Sequence, residues 1–534
     1  MSFTSPITQA KQTYGDVTRA AEILSVLAKY GLAGWLADTE WEVARKVLRG
    51  KGGEWLTDHP LPVRVRLALT DLGTAFVKLG QLLSTRPDVV GQDIADELTK
   101  LQSSARPDSI DVVRGTIEAE LGSPMTDFFA SFDEAPLGSA SIGQVHRAVL
   151  KDGTKVVVKV QHPGIEEVVR RDLSLLQTLA KLAAKSRELA SFQPESLVRE
   201  FSRSLLNELD FTRELRHLQQ FRANFGCDET ICFPEPFPAL TTKRMLVMTE
   251  VSGRSVRELG DKDELPVDRE TIAKRGAAAF IEMIFRDGFY HADPHPGNFL
   301  VQGDGRIILL DAGMVGRVDG RLRGQIEEIL LAVGDQDAEA LTDAILEACA
   351  APVSARLEPP NRTDLSSDLV EFFGNYGSQN VGAMNVGAAL NDVTAVLHAH
   401  GLLLPSRLSL LIKCLVLLEG TAKLLSPNFN LTEVLKPYRT RFIKEKFSPR
   451  ARLKQMRRLS LQWQRLASNA PQDIAAIVAR LQAGEAKVQL SHRGLERSVN
   501  RVVVGIMASA LLVGSALLWS NGARPPFVAC RFQD

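Results

Sequence analysis

A charged residue inside an apolar strand is the feature that most constrains how this chain can fold. Lys155-Val156-Val157-Val158-Lys159-Val160-Gln161 alternates with β-branched side chains, a pattern that suits a half-buried, pleated strand. Lys151-Asp152-Gly153-Thr154 before it is a good hairpin turn, and Pro136 to His146 reads as a strand, a small-residue turn and a second strand. Lys159 falls in the apolar part of this hairpin, where an unpaired ammonium would be costly. It therefore requires a partner, either a carboxylate or the phosphates of a nucleotide. Long Leu-, Ala- and Glu-rich stretches on both sides read as helical, so the chain is expected to be α+β.

Downstream stands Phe289-Tyr290-His291-Ala292-Asp293-Pro294-His295-Pro296-Gly297-Asn298, followed by Leu309-Leu310-Asp311-Ala312-Gly313. The spacing of His291, Asp293 and Asn298 resembles the H-x-D-x-x-x-x-N catalytic loop of kinases, and Asp311-Ala312-Gly313 stands where kinases carry Asp-Phe-Gly. In that reading Asp293 orients an attacking hydroxyl or water, while Asn298 and Asp311 hold the Mg2+ that bridges the phosphates of ATP. A His- and Asp-rich surface loop is the bland alternative, but the order of the elements argues against coincidence. The run Leu137-Gly138-Ser139-Ala140-Ser141-Ile142-Gly143-Gln144-Val145 resembles a phosphate-covering loop with Ala140 at the middle glycine position. A β-carbon there hinders close approach of backbone to phosphate, so Ala140 is expected to disfavour the ordinary ATP-loop conformation. Lys159 matches the strand lysine of the V-A-I-K motif.

Two further motifs narrow the class. Lys78-Leu79-Gly80-Gln81 precedes the small-residue loop, and Glu208-Leu209-Asp210 lies between Lys159 and Asp293. With VVKVQHPG, HADPHPGNF and DAG, they make the chain similar to the UbiB (AarF) family of atypical, protein-kinase-like proteins over roughly residues 20 to 520. The resemblance implies a protein-kinase-like two-lobed fold with a helical N-terminal extension, ATP binding, and a role in biosynthesis of ubiquinone or a related isoprenoid quinone lipid. It assigns Lys78, Gly80 and Gln81 to a regulatory helix packed over the nucleotide cleft.

Apolar Leu197, Phe201, Leu205 and Leu209 predict one helix from Glu195 to Asn224, on which Asp210 and Glu214 share a face and Glu208 points elsewhere. Two faces suit two partners: Glu214 for Lys159, as the kinase Lys–Glu pair, and Glu208, helped by Asp210, for Lys78. Solvated face charges are the bland alternative. Arg244 to Gly253 reads as a strand running into a hinge, with Glu250 and Val251 as candidates for adenine recognition. The expected organisation is a helical extension over 1–130, a small lobe with a helical insertion over 131–253, a helical large lobe over 254–440, a basic linker over 441–500 and a transmembrane helix over 501–520.

Lys and Arg together number 64, as do Asp and Glu, so no global field argues for nucleic acid. The five cysteines are scattered and read as reduced thiols. Val502 to Trp519 is uncharged and mostly apolar, near the length that spans a bilayer, with Arg493, Arg497 and Arg501 before it. These features predict an inner-membrane protein whose kinase-like region faces the cytoplasm; a buried C-terminal helix is the alternative. The expected activity is that of a Mg-dependent atypical kinase or ATPase, and the alternative is a nucleotide-responsive pseudokinase scaffold. Expected partners are a nucleotide, a membrane lipid or quinone precursor, and lipid-biosynthesis proteins.

Overall fold

The predicted hairpin forms at the predicted residues in a computed structural model that describes residues 6–32, 59–101, 105–185, 193–226, 228–259, 267–349, 361–377 and 385–446. The chain divides into two compact units, Met1–Lys444 and Glu445–Asp534. Among the described residues the first unit opens with helices α1 (Pro6–Lys29), α2 (Leu61–Leu72), α3 (Thr74–Leu83), α4 (Pro87–Val90), α5 (Gln92–Leu98) and α6 (Ile110–Leu121).

A small antiparallel sheet follows, from β1 (Phe129–Phe132), β2 (Gly138–Ser139), β3 (Gly143–Leu150) and β4 (Lys155–Gln161). Its last strand, β6 (Met245–Thr249), comes later in the chain, giving the order β1-β3-β4-β6 with β2 on the edge of β3. The two-residue period of β4 decides what each face carries. Val156, Val158 and Val160 are fully buried against α6 residues Val113 and Ile117, while Lys159 points to the opposite face. Each valine so buried contributes about 1.5–3 kcal/mol. That burial fixes the register and so holds Lys159 on the cleft side. Gly143 is required by close approach, since a β-carbon there would sit 2.3 Å from the Val160 carbonyl oxygen.

Between β4 and β6 run α7 (Ile165–Ala183), α8 (Pro194–Glu208) and α9 (Phe211–Phe225), then β5 (Ile231–Cys232). The single helix predicted from Glu195 to Asn224 is therefore two. Asp210 leaves helical geometry and caps α9, its carboxylate accepting from the Thr212 N–H (3.1 Å) and hydroxyl (2.6 Å). This local bond competes with helix continuation, and the buried Leu209 and Phe211 anchor both sides of the break.

The remaining body contains β7 (Arg254–Ser255), α10 (Arg269–Glu282), β8 (Phe289–His291), β9 (Phe299–Val301), β10 (Ile307–Leu309) and β11 (Val315–Arg317). Then come α11 (Gly320–Asp335), α12 (Ala338–Cys349), α13 (Arg362–Gly377), α14 (Val386–Ala399), α15 (Ser406–Leu425) and α16 (Leu431–Lys446). Strands β5-β10-β9-β7 form one sheet and β11-β8 another, so β5, from the expected small-lobe range, pairs in parallel with β10. The apolar run from Leu402 to Leu418 becomes helical at Ser406 and forms most of α15, a core helix with Leu411, Cys414 and Leu418 buried.

Mixed helix and strand content agrees with the α+β expectation; the transmembrane helix is corrected. Among the described residues no helix is long and apolar enough to cross a membrane. The segment 501–520 on which that expectation rested lies outside the described residues, as does most of the basic linker. The inner-membrane placement, which depended on the span, is corrected with it.

Candidate active site

The cleft face of β4 meets the first turn of α9. The Lys159 ammonium donates to both Glu214 carboxylate oxygens, at 3.2 and 2.9 Å, and lies 3.6 Å from Asp311 Oδ1. Burial alone would lower the Lys159 pKa, but Asp311 and Glu214 outweigh it and hold the lysine charged above its ordinary value. One cation thus serves two carboxylates. Lys159 holds Asp311 well below the usual carboxylate range, against the effect of burial and with help from the Gly313 N–H. Burial pushes the Glu214 carboxyl up against the pull of Lys159, with the Asp311 charge adding to the rise.

The turn at Asp311 is strained and clamped. Asp311 has φ of +48°, a left-handed conformation that costs a non-glycine residue about 1–3 kcal/mol. Its Oδ1 accepts from the Gly313 N–H at 3.1 Å. Fully buried His291 donates from Nε2 to the carbonyls of Leu310 and Asp311, each at 3.0 Å, and accepts on Nδ1 from the Asp293 N–H at 3.3 Å. These partners assign its proton to Nε2. From the other side, His217 on α9 bonds the Ala312 carbonyl through Nδ1 at 2.9 Å. His291 therefore ties the Asp293 loop to the Asp311 turn, and His217 ties that turn to the helix carrying Glu214.

Asn298 donates from Nδ2 to the Asp293 carbonyl (3.1 Å) and carboxylate (3.2 Å), which leaves its amide oxygen for another ligand. Among the described residues no three His, Cys, Asp or Glu side chains converge as a metal site. One carboxylate, Asp311, and one amide oxygen, Asn298, are hard donors that fit Mg2+ completed by phosphate oxygens.

In the small-residue loop the backbone closes tightly, with the Ala140 N–H bonded to the Gly143 carbonyl at 2.9 Å. Among the described residues the hydroxyls of Ser139 and Ser141 are buried without a hydrogen-bond partner. Two orphan donors beside a lysine-bearing strand suit phosphate oxygens. Leu137 is exposed, whereas Ile142 is core and Gln144 is buried, accepting from the Asp108 N–H at 2.7 Å; these last two brace the loop. His162, which the sequence reading passed over, spans from the Asp108 carboxylate (Nδ1, 2.6 Å) to the Ala140 carbonyl (Nε2, 2.8 Å). At the end of β6, the Glu250 N–H is bonded to the Lys155 carbonyl (3.0 Å) and its carboxylate to Arg147 (2.7 Å).

Helix α3 closes one side. Lys78 pairs with Glu208 at 2.7 Å, which keeps it charged despite the opposing effect of burial, and Asp311 adds to that. Asp210 instead caps α9. Gly80 is structural: a β-carbon there would lie 2.3 Å from Leu101 Cδ1 and 2.9 Å from Leu69 Cδ1. Gln81 donates to the Leu101 carbonyl at 3.2 Å, and Thr74, the first residue of α3, reaches the Ser141 carbonyl at 3.4 Å.

A strand lysine paired to a helix glutamate, facing an Asp/Asn loop and an Asp-Ala-Gly turn, defines a kinase-like site. The chain matches the ABC1 atypical kinase-like domain over residues 100–345, the UbiB helical domain over 369–430 and the ABC1/UbiB kinase-like C-terminal domain over 488–529. It is 31% identical to the "Probable protein kinase UbiB" of Xanthomonas axonopodis pv. citri over 528 residues, covering 94% of this chain and 93% of that one. It is 29% identical to an "Uncharacterized protein in hydrogenase 1 5'region" of Clostridium pasteurianum, covering 96% and 94%. A more distant likeness is the Rv3197–erythromycin complex from Mycobacterium tuberculosis, at 23% identity and a TM-score of 0.43, covering 68% of this chain and 94% of that one. The protein belongs to the UbiB/ABC1 family of atypical kinase-like proteins.

Proposed function

We propose that this protein is a Mg-dependent ATPase or phosphotransferase acting in support of the biosynthesis of ubiquinone or a related isoprenoid quinone lipid. The observation that carries the catalytic part is Lys159 held between Glu214 and Asp311, opposite the hydrogen-bonded Asp293–Asn298 pair. Lys159 and the hydroxyls of Ser139 and Ser141 bind the ATP phosphates, and the carbonyl of Glu250 with the N–H of Val251 binds adenine. Asn298 and Asp311 hold Mg2+, which when bound neutralises the phosphate charge. Asp293 orients the attacking oxygen and takes its proton. Catalysis is then mostly positioning and electrostatic stabilisation. Because α3 and its Lys78–Glu208 pair border this cleft, the acceptor is water or a small molecule such as a quinone precursor rather than a peptide.

The same position of α3 favours a second reading, a nucleotide-responsive scaffold for lipid-biosynthesis proteins, since the Lys78 charge bears on Asp311. Phosphate release from Mg-ATP by the full chain, with and without a phenolic quinone-precursor analogue, separates the two. Release that needs Asp311, tested with Asp311→Asn, supports the enzyme. Intact nucleotide binding without release leaves the scaffold.

A further inference from the structure

Helix α15, within the stretch matched by the UbiB helical domain, lies along the Asp293 loop. Cys414 donates from Sγ to the His291 carbonyl at 3.4 Å, and two turns on Thr421 donates to the Pro294 carbonyl at 2.7 Å. Lys413 precedes Cys414 and is therefore carried to the flank of that contact line. It is half-buried and, among the described residues, makes no hydrogen bond or ion pair. Burial lowers its pKa, and the carboxylate whose charge reaches it to oppose that is Asp293, while Lys78 repels it.

The cations of the cleft differ in one respect. Lys159 is engaged by Glu214 and Asp311, and Lys78 by Glu208. The Asp293 loop adds none, since Pro294, His295, Pro296 and Gly297 contain no Lys or Arg. Lys413 alone among these lysines lacks a carboxylate partner, and a half-buried ammonium in that condition is costly unless an anion joins it. We propose that Lys413 is a catalytic residue whose ammonium binds the terminal phosphate of ATP and stabilises the transferring phosphoryl group. This rests on the phosphotransfer reading above. The acceptor oxygen bonds to the γ-phosphorus as the bond to the β,γ-bridging oxygen breaks. The electron pair leaves on ADP, the acceptor proton passes to Asp293, and Lys413 faces the charge carried on the equatorial oxygens.

The test is calorimetric binding of Mg-ATP and Mg-ADP to the full chain and to Lys413→Met, Lys413→Gln and Lys413→Arg. We expect Met and Gln to weaken ATP binding about tenfold or more, with ADP affinity within about twofold of the parent. Arg should retain most of the ATP preference. Phosphate release should fall about 100-fold in Met and Gln. Their thermal midpoints should equal or exceed the parent's, because no partner is lost. Unchanged ATP affinity, or equal losses for ATP and ADP, overturns this role and leaves a snorkelling lysine at the cleft rim. A parent chain that binds neither nucleotide overturns the phosphotransfer reading as well, which separates the two failures.

Discussion

Strand β4 and the α8–α9 pair each deliver half of the Lys159–Glu214 contact, but by different rules. On β4, alternation alone sends three valines to α6 and Lys159 to the cleft. On α8 and α9 no single period relates Glu208 to Glu214, because the chain leaves helical geometry at Asp210 and starts again. Glu208 then reaches Lys78 and Glu214 reaches Lys159. The strand is dictated by local pattern and the helices by a break, so the two should respond differently to substitution.

Removing the strand's half should have the largest effect. Lys159→Met is expected to cut Mg-ATP-dependent phosphate release by about 100- to 1000-fold, measured by steady-state release with folding checked by circular dichroism. A loss below tenfold would mean that Lys159 serves the fold rather than the phosphates. Overpacking the helix that borders the cleft comes next. Gly80→Ala places a methyl against Leu101 and Leu69 and should destabilise by about 1–3 kcal/mol in urea unfolding, with smaller catalytic effects than Lys159→Met.

The break is tested by Asp210→Ala. Losing the cap bonds to Thr212 should cost about 1 kcal/mol and, by letting α8 and α9 realign, weaken Mg-ATP binding. If nucleotide affinity is unchanged, the buried Leu209 and Phe211 hold the break without the cap. The smallest effect is expected from Ala140→Gly. It should shift Mg-nucleotide affinity only a few-fold, about 1 kcal/mol or less, because the Ala140 carbonyl stays clasped by His162.

Much of the candidate site is legible in the sequence. Lys159, Asp293, Asn298 and Asp311 stand in short motifs whose spacing is set by strand ends and tight turns, so local reading located them. His162 lay within the quoted VVKVQHPG run and His291 within HADPHPGNF, but their bonds to Ala140, Leu310 and Asp311 depend on segments distant in sequence. The helix break was missed because Leu197, Phe201, Leu205 and Leu209 keep helical period up to it, while the capping bond of Asp210 competes over only two residues. Lys413 gave no signal beyond interrupting an apolar run, since a lysine in a helix is usually solvated.

By itself the sequence determined the alternation of β4, the turns around Asp293 and Asp311, and the residue types available for phosphate and metal. Those are outcomes of backbone period and side-chain chemistry over a few residues. Only the tertiary structure decided that Asp210 caps α9 instead of joining Lys78, that Gly80 serves close packing, and that α15 sits against the His291 carbonyl 123 positions away along the chain. Such contacts depend on how helices bury their apolar faces against one another, and that packing is settled by the whole core.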